Sequence, residues 1–402
     1  MNDFGDELGR LRAERGLSLH ELARRSHYDV GYLSKVTSGR KRGSRELALR
    51  LDKLLSADGG LVAVWEATSR PSIPVSPLAS IDADADLYDR ITRTTDDPRR
   101  VDLPVIEWLE HTLAEHRRVE DSVGARPLLG LIRSQLSTVA EFTRSARGPL
   151  ASRLTELAAE YAQFLAWMCV DVHDHAGGLA WYHRACDWAQ EAGNTNMAAT
   201  TLSMKAHLAW SIGDARRCVQ MAQAARWYDQ RVTPGVQGMA AQMEARGHAL
   251  AGDAGPARAL LDQAQVLIER AVSSPEDEPP WMYFYGENWF RLQRGLAELH
   301  LQNWAGAAVL LAAGLEALPE SYRRDRAWYG ACLVRAHAGA GDAEQAEAVA
   351  LRFAADIVAV NSYARGQLLG AAGKLRGIGA PQARVISTVV RDGRPQRPDP
   401  RS

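Results

Sequence analysis

A short loop that ends in Gly-Asp or an equivalent pair recurs through the second half of the chain. Counted from the last residue of each loop, successive loops lie 36, 39, 50 and 39 residues apart. Small or apolar residues stand four, eight and eleven positions after each loop, a spacing that lets two antiparallel helices pack closely. The pattern predicts a solenoid of helical hairpins. The loops are Gly177-Gly178, Gly213-Asp214, Gly252-Asp253, Asn303 and Gly341-Asp342.

The repeat resembles the tetratricopeptide repeat over most of residues 160–360, and we expect helices from 101 to 160 to continue the stack. The small residue that this family places eight positions before the loop is kept as Ala206, Ala245 and Gly295 but is Val334 in the last repeat. No strand-like alternation of β-branched residues interrupts the pattern. We therefore predict an all-α chain. The residues four positions after the loops are Tyr182, Cys218, Ala257, Ala307 and Ala346.

The charge of the chain is unevenly distributed. Residues 1–56 carry twelve Lys and Arg against eight Asp and Glu, whereas all 402 residues together have a formal net charge of −1. A short basic end on a long acidic body is typical of a nucleic-acid-binding module attached to another domain. Apolar residues at helical spacing predict four short helices in this segment. Ser18, with Glu21 completing a capping box, and Ser44 are suitable N-caps.

Residues 7–55 resemble the Xre-type helix-turn-helix, the family of the Cro and lambdoid repressor domains. The matching residues are Leu11, Arg12, Arg15, Gly16, Leu17, Ser18, Glu21, Leu22, Ala23, Leu33, Ser34, Gly39, Leu47, Leu51 and Leu54. The resemblance implies a positioning helix from Leu19 to Arg25 and a recognition helix from Val30 to Thr37, with Asp29 as its N-cap. The sequence departs from the family at His27, which replaces the turn glycine, and at Gly43, which replaces a common proline.

The same resemblance implies which residues meet DNA. Lys35 would reach guanine O6 or N7 and Val30 a thymine methyl, whereas both a phosphate and a base are open as partners of Tyr32. The basic loop after the recognition helix would hold phosphates, which add affinity without sequence information. The predicted base contacts are Val30, Gly31, Tyr32, Ser34 and Lys35, and the predicted phosphate contacts are Ser18, Arg40, Lys41 and Arg42.

Composition predicts the domain boundaries. Residues 1–66 form the helix-turn-helix domain, and residues 67–100, which are proline-containing and acidic, form a linker in which Leu87, Tyr88 and Ile91 could seed a short helix. The repeat domain covers residues 101–380, and a disordered tail covers residues 381–402.

The concave face of the predicted solenoid carries aromatic, amide and arginine side chains. Such a set suits an extended peptide or an apolar small molecule with a carboxylate. Packing between repeats is the alternative role of the tryptophans. The residues that the loop spacing places on this face are Ser203, His207, Trp210, Gln242, Arg246, Trp289, Trp328 and Arg335.

Other kinds of site are less well supported by the sequence. Cys169, His173, His183 and Cys186 have helical spacings that could present four ligands to zinc, but Cys186 also lies at a packing position and the spacing matches no known zinc motif, so we expect no metal or cofactor. Nucleotide-binding, serine-hydrolase and metalloprotease motifs are absent, which argues against an enzyme. There is no apolar run of roughly 18 residues. With four cysteines and no export signal, we expect a cytoplasmic protein without a membrane partner.

These features together predict a sequence-specific transcriptional regulator. One recognition helix reads only a few base pairs of double-stranded DNA, so we expect a homodimer on an inverted repeat. The repeat domain would support dimerisation and bind a signalling peptide or a small molecule. Two alternatives stay open: a ligand-independent regulator, and an interaction scaffold whose solenoid docks a protein partner and whose helix-turn-helix has lost DNA affinity.

Overall fold

Every regular element in the described part of the chain is a helix. The computed structural model describes residues 3–26, 28–38, 43–57, 59–69, 85–228, 231–360 and 362–392, and no strand occurs among them. The chain divides into two compact units, Met1–Ala79 and Ser80–Ser402, called here the N-terminal and the C-terminal unit. The predicted all-α class is confirmed. No described helix is long and apolar enough to cross a bilayer.

The described part of the N-terminal unit consists of five helices. They are α1 (Asp3–Glu14), α2 (Leu19–Ser26), α3 (Val30–Thr37), α4 (Arg45–Leu55) and α5 (Gly60–Ser69). Helices α2, α3 and α4 each begin where a side-chain oxygen accepts the N–H three residues further on, at Ser18 (3.1 Å), Asp29 (2.9 Å) and Ser44 (3.1 Å). The predicted N-caps are therefore confirmed, and α3 has the predicted bounds.

Helix α5 was not among the four helices predicted from the sequence. The chain reverses after α4 through Ser56, which has a φ of 48°. The carboxylate of Asp52 then accepts the N–H of Leu61 at 2.9 Å, and the indole N–H of Trp65 donates to the carbonyl of Gly43 at 2.7 Å. These contacts join residues that are distant in the sequence, so local periodicity does not reveal them.

The C-terminal unit is a stack of helical hairpins. Its helices are α6 (Ala85–Asp96), α7 (Leu103–Val123), α8 (Leu129–Ser145), α9 (Pro149–Asp171), α10 (His175–Glu191), α11 (Thr195–Ser211), α12 (Ala215–Arg226), α13 (Pro234–Ala251), α14 (Ala254–Ser273), α15 (Glu287–His300), α16 (Trp304–Ala317), α17 (Arg323–Ala340), α18 (Ala343–Val360), α19 (Ser362–Gly377) and α20 (Gln382–Asp392). Short 3₁₀ turns cover Pro98–Arg100, Pro275–Asp277 and Pro280–Met282. The predicted solenoid of hairpins is confirmed.

Four of the five predicted loops lie between the two helices of a hairpin. They end at Asp214, Asp253, Asn303 and Asp342, the residues that precede α12, α14, α16 and α18. Gly252 adopts a φ of 90°, a conformation that glycine reaches without steric cost, and so ends α13. The 50-residue step corresponds to the additional segment 274–286 between α14 and α15.

The first predicted loop is wrong. Gly177 and Gly178 lie in the first turn of α10, and the cap is Asp174, whose carboxylate accepts the N–H of Gly177 at 2.9 Å. Counted from Asp174, the positions four, eight and eleven residues later are Gly178, Tyr182 and Ala185, which are all buried. The repeat thus keeps its pattern, shifted by about one helical turn, because a glycine pair resembles a loop in sequence.

The predicted linker and tail are both too long. Helix α6 occupies part of the predicted linker, including the expected helix seed. Its Ile91 packs against the apolar core formed mainly by α7, α8 and α9. Helix α20 occupies the start of the predicted tail and buries Ile386 and Val389, whose three-residue spacing forms an apolar face that composition does not reveal. Residues 70–84 and 393–402 lie outside the described residues.

Alternate helices of the C-terminal unit face an enclosed space. Residues of α7, α9, α11, α13, α15, α17 and α19 surround one internal space. The stack also curves back on itself, because the hydroxyl of Ser122 at the end of α7 donates to the carbonyl of Ser321 just before α17, at 2.8 Å. The segment 274–286 reaches α7 as well, through a 2.6 Å hydrogen bond from the Tyr283 hydroxyl to Asp121.

Candidate functional sites

Helix α3 has one face on the core of the N-terminal unit and the other in solvent. Leu33 and Val36 are buried, whereas Gly31, Ser34 and Lys35 are exposed. A helix held by two apolar side chains with a free outer face is the geometry required of a helix that enters the major groove. Three of the five predicted base-contacting residues therefore lie on the free face.

The other two predicted base contacts are only partly available. Val30 and Tyr32 are half-buried and pack against the core of the N-terminal unit. The ring of Tyr32 stacks on Tyr28 with the ring centroids 5.9 Å apart. Both side chains therefore support the position of α3 as well as bordering its free face.

The start of α2 differs in detail from the prediction. The Ser18 hydroxyl is exposed and caps the helix, but the carboxylate of Glu21 accepts hydrogen bonds from Arg24 (2.7 Å) and Arg25 (2.8 Å). These bonds lower the pKa of Glu21 to about 2. The two arginines thus share one carboxylate, whereas Lys35 on α3 is exposed. Four further residues, His27 of the turn and the predicted phosphate contacts Arg40, Lys41 and Arg42, lie outside the described residues.

The internal space of the C-terminal unit is called here the central cavity. It has a volume of about 190 Å³. The odd-numbered helices from α7 to α19 and the segment 274–286 line it. At roughly 10–15 Å³ for each water, such a volume holds about 13 to 19 water molecules or a small organic molecule. The predicted ligand-contacting residues that line it are His207, Trp210, Gln242, Arg246, Trp289 and Trp328.

Two predicted ligand-contacting residues lie elsewhere. Ser203 is fully buried and does not line the cavity, and the guanidinium of Arg335 donates to Gln367 at 2.9 Å. Both stand on helices that face the cavity, but Ser203 points into the helix packing and Arg335 bridges α17 and α19. The loop spacing identifies the helices correctly, whereas the side-chain direction depends on the curvature of the stack.

One pole of the cavity contains an arginine without an acidic partner. Arg246 is only 5% exposed, and its guanidinium carbon lies 3.6 Å from the ring centroid of Trp210. Its Nε has no hydrogen-bond partner among the described residues, and Nη1 meets only the sulfur of Met243 at 3.7 Å. Burial lowers the pKa of Arg246, yet a guanidinium stays charged in a protein. This group is called here the Arg246 pole.

Neutral polar groups surround the Arg246 pole. The amide of Gln242 donates to Gln293 at 3.2 Å and accepts from the Tyr285 hydroxyl at 3.3 Å, and Gln293 donates to the hydroxyl of Tyr329. Both glutamines are fully buried. The hydrogen bonds of these amides are thus made within the network, and none of them compensates the charge of Arg246.

A second group of charged residues along the cavity is acidic, and the sequence analysis missed it. Arg324 lies 2.9 Å from Asp325, 3.4 Å from Asp121 and 3.6 Å from Glu120. Burial, only partly opposed by Arg324, raises the pKa of Glu120 to about 8 and that of Asp121 to about 6, and it also raises the pKa of Asp171. These five residues are called here the acidic pole. Carboxylates outnumber the guanidinium, so this pole carries excess negative charge or bound protons.

A sequence signal for the acidic pole exists. The apolar stripe of α7, which includes Ile106, Leu109 and Leu113, continues one and two turns later with Arg117 and Glu120. Charged side chains on the buried stripe of a helix are rare unless they are paired or functional. The repeat pattern begins later in the chain, so the analysis of loop spacing did not reach α7.

None of the candidate zinc ligands lines the cavity. Cys169 and Cys186 are buried free thiols, and the ring of His173 lies against that of Tyr363, with the centroids 4.0 Å apart and the planes at 35°. His183 is exposed on α10. Among the described residues, no group of three or more His, Cys, Asp or Glu side chains is arranged to hold a metal ion.

Comparison with known proteins identifies the N-terminal unit. A family model described as a helix-turn-helix domain matches residues 3–65, which include all the helices from α1 to α4 and part of α5. A search of the curated proteins finds none that matches the chain. The chain therefore has a helix-turn-helix domain at its N-terminal end, followed by a helical solenoid.

Proposed function

We propose that the protein is a transcription regulator that reads DNA with α3 and responds to a ligand bound in its C-terminal unit. The observation that carries the first part is the side-chain-capped pair α2 and α3, in which Leu33 and Val36 hold the helix while Ser34 and Lys35 face solvent. The helix-turn-helix match over residues 3–65 supports it. The residues shared with the Xre-type family make that type of helix-turn-helix the finer assignment.

The proposal includes a homodimer on an inverted repeat. A single recognition helix contacts only a few base pairs, and two of them, about one helical turn of DNA apart, are needed for useful specificity. The C-terminal unit, whose hairpin period is similar to that of tetratricopeptide repeats, is the part assigned to dimerisation and sensing.

The ligand is assigned to the central cavity. Its aromatic walls, buried amides and charged poles form a concave site with a few polar groups, as small-molecule sites do. A ligand there would contact helices that are distant in the sequence, since the cavity is lined by residues from α7 to α19. It would then alter the curvature of the stack and the spacing of two recognition helices, provided that it binds one conformation more tightly.

Fluorescence anisotropy tests the DNA-binding part directly. The purified chain is titrated onto labelled DNA from upstream of its own gene and onto a scrambled duplex, over a series of salt concentrations. We expect tight binding of two chains per site on the first DNA and weaker, more salt-dependent binding on the second. Equal, weak binding to both DNAs, with no site preference for any segment of the surrounding region, would contradict the proposal.

A further inference from the structure

The charge of Arg246 is the feature of the C-terminal unit that the fold leaves uncompensated. Removing a guanidinium from water costs several kcal/mol unless an anion and further hydrogen bonds replace the water. Arg324, which is buried to a similar degree, has three carboxylates within 4 Å, whereas no carboxylate of the described residues pairs with Arg246. A buried Arg with unpaired N–H groups is therefore prepared to receive an acceptor from outside the chain.

Aromatic rings form one side of the surroundings of this guanidinium, beside the neutral amides and hydroxyls described above. Arg246 stacks on Trp210, and the edge of Trp210 meets the ring of Trp328, with the centroids 6.2 Å apart. The ring of His207 lies 5.7 Å from that of Trp210, and burial holds the pKa of His207 well below its usual range, so this imidazole is neutral. The walls next to the positive charge therefore favour the planar body of a ligand rather than a second charge.

The acidic pole limits the charge of the ligand. Four carboxylates surround Arg324 at the acidic pole, and they line the same cavity as Arg246. A second negative charge on the ligand would face these groups, because the other two arginines described along the cavity, Arg117 and Arg324, already pair with carboxylates of the chain. The cavity therefore favours one acid group over two, which disfavours a phosphate dianion.

We propose that the ligand of the central cavity is a small organic monocarboxylate with a flat apolar body, whose carboxylate pairs with Arg246 and whose body lies against Trp210 and Trp328. A guanidinium matches a carboxylate through two parallel N–H···O bonds, and aromatic faces accept a planar body. This assignment rests on the proposed function, because it names the class of ligand for the sensing site proposed there. A peptide that presents its terminal carboxylate to Arg246 is the competing source of the same group.

The test uses naphthoate as the probe and its amide, naphthamide, as the neutral isostere. Binding to the full chain is measured by calorimetry and by the shift of the melting temperature, with benzoate and a tripeptide ending in tryptophan as further probes. We expect naphthoate to bind, benzoate to bind more weakly because it buries less apolar area, and naphthamide to bind at least about 10-fold more weakly than naphthoate.

The variant Arg246→Met keeps an unbranched apolar stem and removes the guanidinium with its charge. We expect it to weaken naphthoate binding at least about 10-fold while leaving naphthamide binding nearly unchanged. In the absence of ligand, its melting temperature should rise by a few degrees, because an uncompensated buried charge is replaced by an apolar group. Arg184→Met is the matched control, since Arg184 lies over a tryptophan, Trp188, on the exposed outer helix α10.

Four outcomes decide the question. Absence of naphthoate binding, equal binding of naphthamide, or unchanged binding by Arg246→Met would each overturn the assignment, and tighter binding of the tripeptide than of naphthoate would replace it with a peptide. DNA anisotropy is measured on the same samples. Retained DNA binding without naphthoate binding would overturn only the ligand class, whereas naphthoate binding without DNA binding would overturn the proposed regulator and leave the site.

Discussion

Arg246 and Arg324 are two buried guanidinium groups of one cavity that differ in their acidic partners. Each is less than 10% exposed. Arg324 connects α17 to the end of α7 through Glu120 and Asp121, so its charge contributes to the closure of the stack. Arg246 connects nothing of opposite charge. At the residue scale, the acidic pole is thus structural and the Arg246 pole is available for a ligand.

The raised pKa of Glu120 leads to a prediction about pH. Because its pKa is about 8 in the folded chain and near 4.5 when unfolded, the folded state holds one proton more than the unfolded state between these values. Stability conferred through this site therefore falls as pH rises, by up to about 1.4 kcal/mol per pH unit. We expect Glu120→Gln to remove this fall. The free energy of unfolding of the variant, relative to that of the wild type, should therefore increase from pH 5 to pH 8.

The measurement is the free energy of unfolding of both chains by urea at several pH values. Arg324 keeps Asp121 and Asp325 as partners in the variant, so the substitution should not leave it unpaired. Glu115→Gln, which changes a half-buried acid on the same helix outside the acidic pole, is the control. A difference between Glu120→Gln and wild type that stays constant across this pH range would contradict the account.

Lys35 provides the residue-scale prediction for the N-terminal unit. If it donates to guanine, Lys35→Ala should cost about 1–3 kcal/mol on the preferred DNA and relax the preference at one base position. Lys53→Ala, which removes an exposed lysine at the end of α4, is the control and should have a smaller effect that is similar for all sequences. Anisotropy on a set of single-base variants distinguishes these outcomes. Equal losses for Lys35→Ala on preferred and scrambled DNA would show that Lys35 contacts only phosphate.

At the scale of elements, close helix crossings leave no room for a side chain at certain glycines. A Cβ at Gly247 of α13 would lie 2.7 Å from Cγ2 of Val219 and 3.0 Å from its backbone nitrogen on α12. Backbone cannot move aside as a flexible side chain can, so we expect Gly247→Ala to destabilise the chain by about 1–3 kcal/mol. The readout is the melting temperature of the transition that includes the C-terminal unit.

Gly366→Ala is the matched control for this crossing. Gly366 is exposed within α19, and a Cβ there would meet nothing within 4 Å. Because alanine favours a helix over glycine, this change should stabilise by about 0.5–1 kcal/mol. The same sign of shift for both variants would mean that α12 and α13 do not cross as closely as described.

The sequence predicts elements well where their determinants are local. Ser18, Asp29 and Ser44 end up as caps because each needs only the N–H three residues on. It fails for α5, which depends on Asp52 and Trp65 reaching across loops, and for the first repeat, where Asp174 and not the glycine pair is the cap. The site follows the same division. Loop spacing found the inner helices and six of their cavity-lining residues, whereas the acidic pole requires the curvature that brings α7 to α17.

At the scale of the whole molecule, the proposed reading of an inverted repeat requires two chains. We expect light scattering coupled to size exclusion to give twice the 44.0 kDa of one chain without DNA, and that mass plus the mass of one duplex with DNA. A chain truncated after the helix-turn-helix would not serve as a control here, so the full chain is measured over a range of concentrations. A monomer at every concentration that also binds DNA one per site would contradict the dimer.

The most direct test of the central claim is selection of DNA from a random library by the purified full chain, followed by sequencing. We predict enrichment of an inverted repeat whose half-site centres lie about 10 base pairs apart, or a multiple of that distance, and a change at one base position of each half-site when Lys35→Ala is used instead. Recovery of unenriched DNA would contradict the claim that α3 reads the sequence, and a motif that Lys35→Ala leaves unchanged would contradict the base contact assigned to Lys35.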